Sequence, residues 1–227
     1  MAQDTHTKEK KPALSRALAS RVAEIYPDIN ADILASKIVD AFWPQGTQRR
    51  KRGRPPGNAL WSQGDALLIT YGNSLVDGTH KPLDLLNDFL RRYLKGVING
   101  VHILPFFPFT SDDGFAVTDY LSVNPQLGDW PDINRIADEF KLMSDLVLNH
   151  VSSQGNWFNA YRQRQAPYDK FFFEADPKDD LSMVVRPRTT PLLQKVETKD
   201  GPRHVWCTFS HDQTDLDFRN PEGPREF

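Results

Sequence analysis

Cysteine is almost absent from these 227 residues: Cys207 stands alone, so no intrachain disulfide can form and a reducing, cytoplasmic setting is expected. Charge of one sign is not in excess either. Lys and Arg number 28 against 30 Asp and Glu, a formal net charge of -2, which argues against a chain built mainly to bind nucleic acid or a membrane surface. No apolar run approaches the roughly 20 residues that cross a bilayer. The opening Met1–Lys11 stretch has no apolar core and does not read as a secretory leader. What is present, 39% hydrophobic and 26% charged, suits a globular domain of good size.

Residues 1–11 read as a frayed polar tail. From Pro12 to Trp43 the pattern is helical in two pieces, broken at Tyr26-Pro27-Asp28. Leu14, Leu18, Val22 and Ile25 line one stripe; Ile29, Ile33, Ile38 and Phe42 line the other. The Arg49–Gly57 segment that follows is basic and rich in Gly and Pro. Its Arg52-Gly53-Arg54-Pro55 core resembles an AT-hook, which lays Arg into a narrow minor groove. A single short copy on a near-neutral chain reads more simply as a solvated linker, so a nucleic-acid partner is not expected. Residues 1–60 thus form a helical extension with a basic linker.

After Trp61 the texture becomes strand, helix, strand, helix, strand. Ala66–Tyr71 is the first strand. Pro82–Lys95 is a helix with Pro in its first turn and Gly96 past its end. Val101–Leu104 is the second strand, Trp130–Phe140 the second helix, and Lys141–His150 a third strand ending in Asn149 and His150. That alternation is the pattern of right-handed parallel βαβ units. Polar residues at the C-terminal end of such a strand lie where α/β folds build ligand sites. Residues 61–150 are therefore expected to hold three parallel strands. Residues 151–227 break the rhythm with an aromatic cluster (Tyr168, Phe171, Phe172, Phe173), a Pro-rich Arg186–Pro191 stretch and a hairpin around Asp200-Gly201. They read as an inserted subdomain over the site.

Several segments then match together. Pro105–Phe115 contains Ser111-Asp112-Asp113-Gly114-Phe115. Asp145–His150 has the form Asp-x-x-x-Asn-His, and Val205–Phe209 and Asp212–Glu222 follow in order. Jointly they resemble the α-amylase superfamily, glycoside hydrolase family 13, and within it the sucrose phosphorylase subfamily, especially its glucosylglycerate phosphorylase branch. The resemblance covers residues 60–222. It implies an α/β fold, the N-terminal portion of a (β/α)8 TIM barrel, with a B domain inserted after the third strand. It also implies a hexosyltransferase, a retaining α-glucosyl phosphorylase that passes glucose from glucosylglycerate or a sucrose-type disaccharide to phosphate. Such chemistry needs two carboxyl groups about 5–5.5 Å apart, one ionised to attack and one protonated to serve the leaving oxygen.

By position, the resemblance assigns Asp112 and His150 to hydroxyls of the glucosyl unit. It makes Phe115 and Phe209 apolar walls, Gln213 a further polar contact, and Arg188 a loop cation for phosphate. Taken alone, Asp112 and Asp113 could equally be turn residues, and Arg188 a solvated charge. Asn149 is a calcium ligand in many amylases, but no obvious set of partner oxygens accompanies it, so no metal and no cofactor are expected. His211-Asp212 reads as a loop coincidence.

The family's nucleophile motif Gly-x-Arg-x-Asp and its acid/base Glu do not occur before Phe227, and Gly223-Pro224 interrupts an expected helix. Both catalytic carboxyls are accordingly expected outside this sequence, and the chain is expected to be an inactive N-terminal fragment. The alternatives are an α-glucosidase or amylase-type hydrolase, and a non-catalytic remnant touching DNA through Arg52–Pro55.

Overall fold

The computed structural model describes residues 5–42, 61–185 and 187–220. The basic stretch 49–57 lies outside them. The chain divides into two compact units, residues 1–54 with 218–227 and residues 55–217.

In the first unit, helix α1 (Thr5–Ile25) turns at the expected Tyr26-Pro27-Asp28 break into α2 (Ala31–Phe42). Helix α1 begins seven residues before Pro12, which sits inside it. The frayed tail expected over residues 1–11 is thus corrected from Thr5 onward. The Asn30 side chain caps α2 by accepting the Ile33 amide at 3.0 Å. Ala19 and Val22 pack against Leu34 and Ala35, while Leu14, Ile25 and Ile33 are exposed. Of the expected stripes Leu18, Val22, Ile29 and Ile38 join this contact, while Ala19, Leu34 and Ala35 take the places of the exposed residues. The Tyr26 hydroxyl donates to the Phe218 carbonyl at 2.6 Å.

The second unit opens with three parallel strands in the order β1 (Leu67–Thr70), β2 (Gly100–Ile103) and β3 (Lys141–Ser144). Leu68, Val101 and Leu142 are in register, as are Ile69, His102 and Met143. Alternation along a strand sends these two rows to opposite faces. The first faces α3 (Pro82–Phe89) and α4 (Trp130–Glu139), where Leu83, Leu86, Leu90, Ile133, Ile136 and Phe140 close a dry core. Each such side chain contributes roughly 1.5–3 kcal/mol on burial. The second row leaves Ile69 and Met143 exposed.

Local chemistry sets these boundaries. Pro82 starts α3, whose last turn widens into a π-helical turn over Leu90–Leu94. Gly96 then takes φ +82°, a left-handed conformation that costs other residues more. A capping box opens α4: Asp129 accepts the Asp132 amide at 3.1 Å, and the Asp132 carboxylate accepts the Asp129 amide at 2.8 Å.

The third strand differs from expectation. Lys141–His150 is not continuous: β3 ends at Ser144, and Asp145 turns aside to receive His102 Nε2 at 2.9 Å. The chain resumes as β4 (His150–Ser152), which pairs antiparallel with β7 (Gln213–Asp215). Between them lie α5 (Asn156–Arg162) and the hairpin β5 (Leu193–Thr198) and β6 (Gly201–Trp206). This part has its own core of Val151, Phe158, Tyr161, Phe171, Phe172, Val196, Val205 and Cys207. Burial pushes the Cys207 thiol up to about 12, so it packs as a hydrophobe and is chemically quiet.

Candidate functional site

The loop after β2 folds back on itself before it reaches β4. Thr110 N–H donates to the Ala116 carbonyl, Ala116 N–H to Ser111, and Ser152 N–H of β4 to Val117. The tip of this loop is strained. Asp112 and Asp113 hold φ of 56° and 50°, and Gly114 holds +108°. Asp tolerates the left-handed region better than most residues, but two in succession still cost free energy. At Gly114 a Cβ would also lie 2.7 Å from the Pro105 carbonyl oxygen, which is backbone and cannot swing away. Gly114→Ala is therefore expected to destabilise the folded protein by about 1–3 kcal/mol. Calorimetry of the full-length protein and its variant checks this, and an unchanged melting temperature would contradict it.

That strained tip delivers Asp112 to two residues from the β4–β7 ladder. Gln213 Nε2 donates to Asp112 Oδ2 at 2.9 Å and lies 3.1 Å from His150 Nε2. His150 Nε2 in turn lies 3.0 Å from the Phe115 carbonyl, and its Nδ1 lies 3.3 Å from the Asn149 amide nitrogen. One proton assignment satisfies these contacts. Nε2–H donates to Phe115, Nδ1 accepts from Asn149, and the Gln213 amide turns one of its two hydrogens to Asp112. The approach of His150 Nε2 to Gln213 Nε2 is then close packing. The Phe209 ring stands 5.0 Å from the His150 ring, tilted by 58°.

Electrostatics keep this imidazole neutral. Burial disfavours the imidazolium and outweighs the Phe115 carbonyl and the nearby Asp215 and Asp112 carboxylates, which favour it, so His150 titrates below its ordinary 6.5. Between that lowered value and 6.5 the folded state binds fewer protons than the unfolded one. The contribution to stability is complete above pH 6.5 and is lost as pH falls through the lowered value. An NMR titration of His150 is expected to give a midpoint below 6.5; a midpoint at or above 6.5 would refute this.

The structure thus brings together five of the six residues singled out from sequence: Asp112, Phe115, His150, Phe209 and Gln213. Phe115 enters through its carbonyl, while its ring packs on the barrel core. Arg188 is not part of the group. It is exposed, on a loop fastened beside Phe209 by the Thr190 hydroxyl, which donates to the Phe209 carbonyl at 3.3 Å. Among the described residues no group of three or more His, Cys, Asp or Glu is placed to hold a metal ion.

Sequence reasoning passed over two supporting carboxylates. Asp215 is buried, and burial raises its pKa; the Thr208 hydroxyl and amide, both donating to it, and the Asn149 side chain pull the other way. It thereby braces the segment before Phe209. Asp212 gathers hydroxyls from two other loops. The run of polar residues Asp212, Gln213, Thr214 and Asp215, the last three in β7, was the available signal, since buried polar side chains are mostly hydrogen-bonded. A cavity of 230 Å³ lined by Tyr71, Asn73, Pro105, Phe109 and Asp113 opens at the C-terminal ends of β1 and β2, beside the same strained loop.

Chemically the group can hold a polyhydroxylated ligand. Asp112 accepts hydroxyl protons, and the His150 N–H can exchange its backbone carbonyl for a ligand oxygen. Phe209 offers an apolar face.

The chain is similar in sequence and in fold to known proteins. The family description "Alpha amylase, catalytic domain" matches residues 89–226. The glucosylglycerate phosphorylase of Allomeiothermus silvanus is 51% identical over 211 residues, 93% of this chain and 37% of that protein. The glucosylglycerate phosphorylase of Spirochaeta thermophila is 52% identical over 157 residues, 69% of this chain and 27% of that protein. The chain therefore spans roughly a third of the length of these relatives. The crystal structure of sucrose 6F-phosphate phosphorylase from Thermoanaerobacter thermosaccharolyticum superposes with a TM-score of 0.64 at 31% identity, covering 71% of this chain and 35% of that one. Its three parallel strands are adjacent strands of a (β/α)8 barrel, and the chain belongs to the α-amylase catalytic-domain family.

Proposed function

We propose that the protein carrying this chain is a retaining α-glucosyl phosphorylase, and that these residues form the part of its site that recognises the glucosyl unit. A carboxylate attacks the anomeric carbon as its bond to the disaccharide oxygen breaks, a second carboxyl group gives its proton to that oxygen, and phosphate then displaces the carboxylate, with its proton returned to the second group, to release glucose 1-phosphate. Asp112 and His150 hold sugar hydroxyls, Gln213 orients Asp112, and Phe209 shields the intermediate from water, while Phe115, whose ring packs on the core, serves through its carbonyl on His150. Arg188, on the loop tied to Phe209, meets the phosphate with its planar fork. Residues 61–150 serve as the barrel portion and 151–227 as the inserted domain that closes over it. Cytoplasmic sugar and inorganic phosphate are its partners.

The observation that carries the reading is the convergence of Asp112, His150 and Gln213 on one another in a chain half identical to glucosylglycerate phosphorylases. The test is phosphorolysis by the full-length protein. Glucosylglycerate, sucrose and sucrose 6F-phosphate are each incubated with phosphate, and glucose 1-phosphate is measured beside free glucose. Glucose 1-phosphate formed only with phosphate supports the reading. Free glucose formed at the same rate without phosphate would make the protein a hydrolase instead.

A further inference from the structure

Asp212 stands at the meeting of three loops, and its carboxylate is saturated. Oδ2 accepts the Thr110 and Ser111 hydroxyls, both at 2.6 Å. Oδ1 accepts the Ser153 hydroxyl at 3.0 Å and the Gln154 amide at 3.2 Å. Ser152 lies 3.3 Å from Oδ1 but only 2.6 Å from Thr110 Oγ1. Its single hydrogen goes to the nearer oxygen, which leaves four donors for the four lone-pair sites of one carboxylate. The backbone joins in, with Ser153 N–H donating to the Asp212 carbonyl at 2.8 Å. Burial would raise the Asp212 pKa, yet the donors outweigh it and hold the group below the usual carboxylate range. It stays ionised and bound.

Which residues it ties together matters more than how many. Ser111 immediately precedes Asp112, whose left-handed turn costs free energy and is bonded internally only through the Phe115 and Ala116 amides. Ser152 ends the strand that begins with His150. Gln213, the next residue after Asp212, donates to Asp112. Two adjacent residues, Asp212 and Gln213, therefore grip the Asp112 turn at two points, one on the turn's preceding hydroxyls and one on the carboxylate itself. We infer that Asp212 is a positioning residue that holds the Asp112 carboxylate in register with His150 for the glucosyl hydroxyls. This rests on the proposed sugar site, and it assigns Asp212 a part in affinity for the sugar.

A merely structural carboxylate would feel the loss of any of its donors alike; a positioning one would not. Ser111→Ala and Ser153→Ala each remove one donor from Asp212, but only Ser111 is attached to the Asp112 turn. In the full-length protein, Asp212→Asn is expected to raise KM for the glucosyl donor about tenfold, the effect of roughly 1.4 kcal/mol of lost orientation, with kcat within about threefold. Ser111→Ala is expected to raise KM about fivefold and Ser153→Ala less than about twofold, from the same scale. Equal KM values for the two serine variants, or an unchanged KM in Asp212→Asn, would overturn the inference. Should Asp212→Asn not fold, the serine pair decides. Hydrogen exchange gives a readout independent of turnover. The Phe115 and Ala116 amides, bonded within the turn, should exchange about tenfold faster in Ser111→Ala than in Ser153→Ala. Equal rates would again overturn the inference. An unsubstituted protein without phosphorolysis would defeat the functional reading alone, and the exchange rates would then decide the clamp.

Discussion

Asp112→Asn in the full-length protein is expected to lower kcat/KM for the glucosyl donor by about 10²–10³-fold, the scale for removing one preorganised polar contact, while the melting temperature moves little. Two features separate the effects. Asp112 sits at φ 56° on an exposed turn, and Asn is the other residue that enters the left-handed region readily, so the fold keeps its turn. The amide also still offers one oxygen to Gln213. What it loses is the charge and half of its accepting capacity, because the oxygen left to the amide is the one that Gln213 Nε2 already occupies. A sugar hydroxyl that would donate to the carboxylate then has no acceptor. Steady-state kinetics beside calorimetry separate the two quantities. A kcat/KM within threefold of the unsubstituted protein would remove Asp112 from the sugar site. A collapse in melting temperature would instead mean that the carboxylate serves the turn.

How much of this could be read beforehand follows from the range of each interaction. The helices α3 and α4 and the strands β1 and β2 were legible because their signals are local. Pro82, Gly96 and the runs 66–71 and 101–104 act on their own neighbours in sequence. The break after Ser144 was not legible. In Lys141–His150 the polar Ser144-Asp145 pair between two apolar stretches was the only local mark, and what ends β3 is Asp145 turning to His102, forty-three residues earlier in the chain. Asp212 is illegible for the same reason: its hydroxyl donors are Thr110, Ser111 and Ser153, and a pattern of single residues carries no trace of that convergence. Helix α1 shows a third case, since Pro12 looks like a start but is borne inside the helix. Of the site, the five residues that gather were legible only through several motifs read jointly. Arg188 resembles a phosphate ligand in its sequence setting, and its exposed place on the loop beside Phe209 neither adds a partner nor removes one.

The 227-residue polypeptide expressed by itself is expected to aggregate or to behave as a loosely packed state, and to form no glucose 1-phosphate. The reason lies in the face of the sheet opposite α3 and α4. In a closed barrel that face is a packed interior and no strand has an edge. Here β1 and β3 are both outer strands of a three-stranded sheet, with Ile69 60%, Met143 49% and Leu146 52% exposed. Among the described residues these three parallel strands are flanked on one side and present unpaired edge backbone and apolar side chains together, the combination that templates association between chains. The dry core around Leu83, Leu86 and Ile136 opposes this by holding the helical face. It can preserve secondary structure without fixing the open face, which is the condition for retained far-ultraviolet dichroism with strong binding of an apolar dye. Size-exclusion chromatography, dye binding and calorimetry on the polypeptide test the expectation. A soluble monomer with one sharp cooperative transition would show that the helical face and the core around Phe158 and Tyr161 suffice. The exposed row of Ile69 and Met143 would then count as ordinary surface.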